Sequence, residues 1–354
     1  MARLLDVGGT FYGTTTGGGA YGRGTVFSLT TAGIEKVLHS FGSGTDGIDP
    51  QAGLVNVRGT LYGTTTGGGA YGRGTVFRIA TNAAEKVLHS FGSGTDGTVP
   101  VSGLRYVGGT LYGTTLLGGA HDLGTVFSLT TGGTENVLHS FSGQPDGTYP
   151  AARLIDVGGT LYGTTQNGGA YDAGTVFSLT TGGTENVLHS FSGQPDGVYP
   201  SAELTDVGGT FYGTTQYGGT GYCGRSIGAG TVFSITPGGT EKVLYSFCSV
   251  NNSTDGCCPV SGLIDVGGTL YGTTEYGGTG YCISEPGCGT VFSLTTAGIE
   301  KVLHRFGSGT DGSRPFAGLI NVRRALYGTT YEGGAHGGGT VFSITTGGTE
   351  NMLR

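Results

Sequence analysis

Thr160-Leu161-Tyr162-Gly163-Thr164-Thr165, followed after a Gly-rich gap by Gly174-Thr175-Val176-Phe177, is the stretch that decides the fold. The first half recurs from Thr10, Thr60, Thr110, Thr210 and Thr269, and in altered form from Ala325. The second half follows each time, from Gly24, Gly74, Gly124, Gly230, Gly289 and Gly339. A period near 50 residues, present seven times, marks a propeller or array. Residues that recur in every copy then belong to the scaffold, and function is to be sought where copies differ.

Working outward from Thr160, Leu154-Ile155-Asp156-Val157 reads as a first strand and Gly158-Gly159 as a two-residue turn that needs positive φ. Thr160 to Thr165 is a second strand, and the segment from Gln166 to Ala173 is a loop. Gly174 to Thr180 is a third strand and Glu185 to Phe191 a fourth, with Thr181-Gly182-Gly183-Thr184 turning between them. A long loop, Ser192 to Pro200, leads to the next copy. Four antiparallel strands per copy, seven times over, predict an all-β, seven-bladed β-propeller with blades contiguous in sequence. The expected blades are about 1–48, 49–98, 99–148, 149–198, 199–257, 258–313 and 314–354, in one domain. A β-solenoid is the alternative, but it calls for atypical capping repeats that the sequence lacks.

Composition agrees. The 354 residues include 78 Gly and 10 Pro, about a quarter of the chain, which with a period means many tight turns. Only 12% are charged, the net charge is −7, and Lys and Arg are scattered. No basic stripe points to nucleic acid. No segment approaches the roughly 18 apolar residues of a membrane helix. Met1 runs at once into the repeat at Leu4, with no visible signal peptide. An excised unit or a truncated gene product is expected, with a cytosolic protein as the alternative.

The order L-Y-G-T-T, G-G, G-T-V-F, L-H-S-F and D-G-x-x-P resembles the Gloeo–Verruco tandem repeat family over essentially the whole chain. The resemblance implies a propeller-like bacterial repeat protein, often part of secreted or surface-anchored polypeptides. It brings no catalytic motif. The seventh copy departs from the pattern: Arg323-Arg324-Ala325 replaces Gly-Gly-Thr, so its first turn is either strained or of another type.

Chain direction puts the loops after T-T and the D-G-x-x-P loops together on one face, where variation concentrates. Tyr21, Tyr71, Tyr171, Tyr217, Tyr222, Tyr276, Tyr281 and Tyr331 fall there, as do Tyr149 and Tyr199. Arg23, Arg73, Arg225 and Arg314 share that face with Asp122, Asp172, Glu285 and Glu332. Tyrosine offers an apolar ring and a polar tip, suited to sugars or protein partners. These side chains, with His121 and His336 where other copies carry Tyr, form the expected ligand site for a glycan or surface protein. The competing reading is that the tyrosines only cover the loops. His121, His336, Arg225 and Tyr222 are the weak candidates for one asymmetric catalytic site of a polysaccharide lyase or hydrolase. A third reading is a purely structural assembly module, with self-association.

His39, His89, His139, His189 and His304 occupy one position of the unit, with Tyr245 in copy five. They read as outer-strand residues bonded to a neighbouring blade. Asp46, Asp96, Asp146, Asp196, Asp255 and Asp311 precede Gly and read as turn formers. No metal is assigned and no cofactor is expected, calcium being the one possibility raised by the Asp-rich loops. Cys223, Cys248, Cys257, Cys258, Cys282 and Cys288 cluster in copies five and six. Cys248–Cys257 and Cys282–Cys288 are the expected disulfides, leaving Cys223 with Cys258; other connectivities and a zinc site stay open. Disulfides would place the protein outside the reducing cytosol, at the cell surface or beyond it. The overlapping sequons at Asn251 and Asn252 matter only in a glycosylating host.

Overall fold

A computed structural model describes residues 3–80, 85–222, 228–248, 254–279, 281–282, 285–307 and 310–352, with backbone only at 281–282, 285–286 and 352. The chain is an all-β, seven-bladed propeller of seven four-stranded antiparallel sheets, each built from one stretch of sequence with its strands in chain order. It falls into two compact units, residues 1–169 with 175–187, and 170–174 with 188–354.

The third blade shows how one copy folds. Its strands are Arg105–Val107, Thr110–Thr115, Thr125–Thr130 and Glu135–Ser140. Gly113 lies opposite Phe127 in the ladder. A Cβ on Gly113 would stand 2.6 Å from the Phe127 ring, so the glycine of L-Y-G-T-T is the seat of the phenylalanine of G-T-V-F. Two positions further on, the hydroxyls of Thr115 and Thr125 meet at 2.8 Å. The recurring phrase is therefore a pair of complementary strands: the small residue of one receives the large residue of the other, and their threonines join.

In at least four copies the first threonine of the T-T pair reaches instead to the next blade. Thr14 donates to the carbonyl of Ala52, and Thr64 to that of Ser102. In the second unit Thr214 donates to Ser261 and Thr273 to Pro315. The cores also lie between blades. Val76 and Phe91 of the second blade pack with Leu104, Leu111, Phe127 and Leu129 of the third. Phe91 meets Phe127 edge-on at 5.0 Å, and Phe41 meets Phe77 likewise at 5.0 Å. Such aromatic pairs add about 0.5–1.5 kcal/mol beyond their burial.

Three local features depart from simple strand-and-loop expectation. The segment after T-T is not all loop: Gly67–Gly68 pairs with Gly47–Ile48 of the preceding blade, and Asn167–Gly168 with Gly147–Thr148. The fourth strand carries a bulge, since Val126 and Phe127 face His139 and Val137 and skip Leu138. The histidine therefore does not simply alternate with its neighbours. The seventh blade keeps the two-residue first turn, with Arg323 and Arg324 at φ 53° and 70° where Gly8 and Gly9 stand at 64° and 86°. That turn is the strained one of the two alternatives. Asn321 braces it by accepting from the Arg324 N–H, as Asp6 accepts from Gly9.

Candidate functional site

The loops between second and third strands present aromatic side chains to solvent. Tyr21, Tyr71 and Tyr171 are 56%, 55% and 65% exposed, Tyr222 is 70% and Tyr331 48% exposed. Arg23, Arg73, His121 and His336 are exposed as well. The first two loops are held from below by the glycine after Phe. A Cβ on Gly42 would press on Arg23 at 2.9 Å and Tyr21 at 3.0 Å, and Gly92 stands in the same relation to Arg73 and Tyr71. Glycine there lets the Tyr and Arg stems lie flat on the blade top with their heads free.

Other expected residues are drawn into contacts. Tyr217 packs edge-on against Tyr199 at 5.8 Å. Tyr276 and Tyr331 both flank the Arg314 guanidinium, 5.3 and 5.6 Å from their ring centres, with Phe316 at 5.3 Å. Arg314 also pairs with the buried Glu275 at 2.6 Å and with Glu332 at 3.3 Å. This Arg–aromatic–carboxylate group is specific to copies six and seven. Neither His121 nor His336 belongs to a cluster of three potential metal donors among the described residues. Arg225, Cys223, Asn251 and Asn252 lie outside the described residues, as do the side chains of Tyr281 and Cys282.

Cys248 and Cys257 form a disulfide, with Cα atoms 5.9 Å apart. Cys288 is also disulfide-bonded, and Cys258 is buried.

The repeated histidines and aspartates converge further than their motifs indicated. Each histidine bonds the D-G-x-x-P aspartate of its own copy, rather than a neighbouring blade: His39 to Asp46 at 3.1 Å, His139 to Asp146 at 3.1 Å, His304 to Asp311 at 3.1 Å. Tyr245 takes the same role toward Asp255 at 2.8 Å. The aspartate also accepts from backbone, as Asp46 does from the Gly42 N–H at 2.8 Å. The neighbouring blade supplies a third member, the glutamate that opens its fourth strand. In His39–Asp46–Glu85, His139–Asp146–Glu185, His189–Asp196–Glu241 and His304–Asp311–Glu350, donor atoms of all three lie within 4.8 Å of one another.

Electrostatics at these junctions is lopsided. Burial, then the charge of Asp46, pushes the Glu85 carboxyl up to about 7. Burial and Asp96 do the same to Glu135, also to about 7. Asp146 goes the other way: burial opposes its charge, but bonds from His139 and from the Gly147 and Ser142 backbone hold it below its ordinary value. Each group joins a His–Asp hydrogen bond to a glutamate of the next blade. Three donors fall short of the four of structural zinc and the six to eight oxygens of calcium. The glutamates escaped the sequence reading, although their signal is present. A carboxylate opens every fourth strand of a chain in which only 12% of residues are charged.

The fold recurs in proteins of very different sequence. The BP39L lectin from Burkholderia pseudomallei aligns with TM-score 0.63 at 10% identity, over 99% of this chain and 96% of that one. Virginiamycin B lyase from Staphylococcus aureus aligns with TM-score 0.60 at 12% identity, over 92% and 90%. A putative 6-phosphogluconolactonase from Bacteroides uniformis aligns with TM-score 0.60 at 15% identity, over 97% and 94%. At such identities the likeness is one of fold. No curated protein sequence matches the chain. The Gloeobacter/Verrucomicrobia repeat model matches residues 1–104, 84–284 and 228–353, end to end through the copies of T-L-Y-G-T-T and G-T-V-F. The chain belongs to the Gloeobacter/Verrucomicrobia repeat family.

Proposed function

We propose that the chain is a multivalent glycan-binding module that works outside the reducing cytosol. The observation that carries this reading is the exposure of Tyr21, Tyr71 and Tyr171 at one loop position of three blades, at 56%, 55% and 65%. Each offers a ring face and a hydroxyl, and in the first two an arginine stands two residues on. Equivalent weak sites on one chain gain about a hundredfold or more in avidity without any new contact. The lectin among the similar folds supports the reading by analogy of fold alone. The Cys248–Cys257 disulfide supports the oxidising compartment.

The test is binding to immobilised polysaccharides by biolayer interferometry, comparing the wild type with Tyr21→Ala/Tyr71→Ala/Tyr171→Ala. Loss of avidity in the triple variant, with unchanged melting temperature, is the expected result. Full retention would remove these tyrosines from the site. A second reading, an enzyme with one asymmetric centre, draws on the Arg314 group with Glu275, Glu332 and Tyr331. Product release from the same polysaccharides, abolished by Arg314→Met, would favour it.

A further inference from the structure

At each blade junction the glutamate from the following blade sits against an aspartate that already accepts hydrogen bonds from its own copy and keeps acceptor sites open. Asp46 accepts from the His39 imidazole at 3.1 Å and from the Gly42 N–H at 2.8 Å. Asp96 accepts from His89 at 3.0 Å and Gly92 at 2.9 Å. Beside them, Oε1 of Glu85 and of Glu135 is sealed from water with no hydrogen-bond partner, and so is Oε1 of Glu185, Glu241 and Glu350. A carboxylate held this way against a second carboxylate is costly, because neither oxygen brings a donor. A neutral carboxyl resolves the arrangement, since its own proton is the missing donor and the aspartate is the acceptor at hand.

We propose that these junctions are proton-held clasps: the glutamate of one blade is a neutral carboxyl that donates to the aspartate of the blade before it, and its ionisation loosens the outer strands. The groups facing each glutamate are few. Asp46 and His39 face Glu85, Asp146 and His139 face Glu185, and Asp311 and His304 face Glu350. Asp96 acts on Glu135. Asp196 and His189 act on Glu241. Asp255, Arg305 and Tyr245 act on Glu300, which burial first and Asp255 next still push up to about 7. Burial and the facing aspartate raise every one of these glutamates, and the histidines offset this only in part. A raised carboxyl favours the folded state while protonated. Its contribution is therefore full below about 4.5 and lost as the pH rises through about 7.

The experiment follows melting of the full chain from about pH 5.5 to about pH 8.5, for the wild type and for Glu85→Gln/Glu135→Gln/Glu185→Gln. Glutamine keeps the shape and the donor but cannot ionise. The wild type is expected to lose several degrees across this range, while the glutamine variant stays flatter and melts higher at the alkaline end. Infrared difference spectra of the wild type, which need no variant to fold, are expected to show a neutral-carboxyl C=O band near pH 6 that fades by about pH 8.5. A wild-type melting temperature that does not fall, a variant that tracks the wild type, or absence of the band overturns the proposal. A fall in melting temperature on adding EDTA near pH 6 also overturns it, because the clusters would then be held by a cation rather than a proton.

Discussion

Replacing Thr165 by Val tests whether the second threonine of T-L-Y-G-T-T pins the blade together. The side chain is fully buried, and its hydroxyl has no spare capacity. It donates to the Asn167 carbonyl at 2.9 Å. It meets the Thr175 hydroxyl at 2.8 Å and accepts from the Thr175 N–H at 3.2 Å. Valine fills the same space with a methyl group, so no cavity forms and no transfer free energy is lost. What remains is a buried N–H and a half-buried carbonyl that each lose this partner, while the Thr175 hydroxyl can rotate. An orphaned buried group costs about 1–3 kcal/mol, so the buried N–H with a smaller share from the half-buried carbonyl gives an expected loss of about 2–4 kcal/mol. Thr165→Ser is the control: it keeps the hydroxyl and removes one methyl, at about 1 kcal/mol. Urea denaturation followed by circular dichroism should lower the midpoint with the slope unchanged. A valine variant within about 0.5 kcal/mol of the wild type, or one no worse than the serine variant, would refute the pin.

Further outcomes follow from other parts of the unit. Gly163→Ala places a Cβ 2.7 Å from the Phe177 ring and 2.8 Å from Leu154, so a loss of about 1–3 kcal/mol is expected in the same assay. Arg324→Gly should raise the melting temperature, because a non-glycine residue at φ 70° costs about 1–2 kcal/mol, offset in part by glycine's freedom in the unfolded chain. Asp146 sits below its ordinary 3.8, so its contribution is present above that value and lost as the pH falls through its folded one. Acid titration of the wild type should therefore show a second, low-pH loss of stability, reduced in Asp146→Asn.

Much of this architecture is legible in the chain. The period, the strand-forming runs between glycines and the Gly-Gly turn give seven blades of four strands, because each rests on local chemistry that one copy contains in full. The turn at Arg323-Arg324 was legible as an anomaly, and the structure resolves it by bracing the same turn with Asn321. What lies between copies was harder to read. The Gly147–Thr148 pairing with Asn167–Gly168 involves two-residue strands too short to show a period. The bulge at Leu138 shifts the histidine's direction, and no propensity marks it. Glu85 joins His39 and Asp46 only because two blades approach, so its spacing of 46 residues from the histidine has no meaning until the fold supplies one. The exposure of Tyr21 and Tyr71 followed from their loop position, whereas Tyr276 and Tyr331 were diverted to Arg314, a partner that appears in one copy alone.

The junction has a directional grammar. A copy contributes Phe91, His89 and Asp96 at its trailing side, and the next contributes Phe127 and Glu135 at its leading side. Each copy of the gene segment thus encodes both the plug and the socket. A duplicated segment arrives already able to dock on its neighbours, head to tail, without any new contact having to be selected. A whole copy added or removed leaves plug and socket in place at every remaining junction. Single positions then set one copy apart from the others, as Cys248, Tyr245 and Arg314 do.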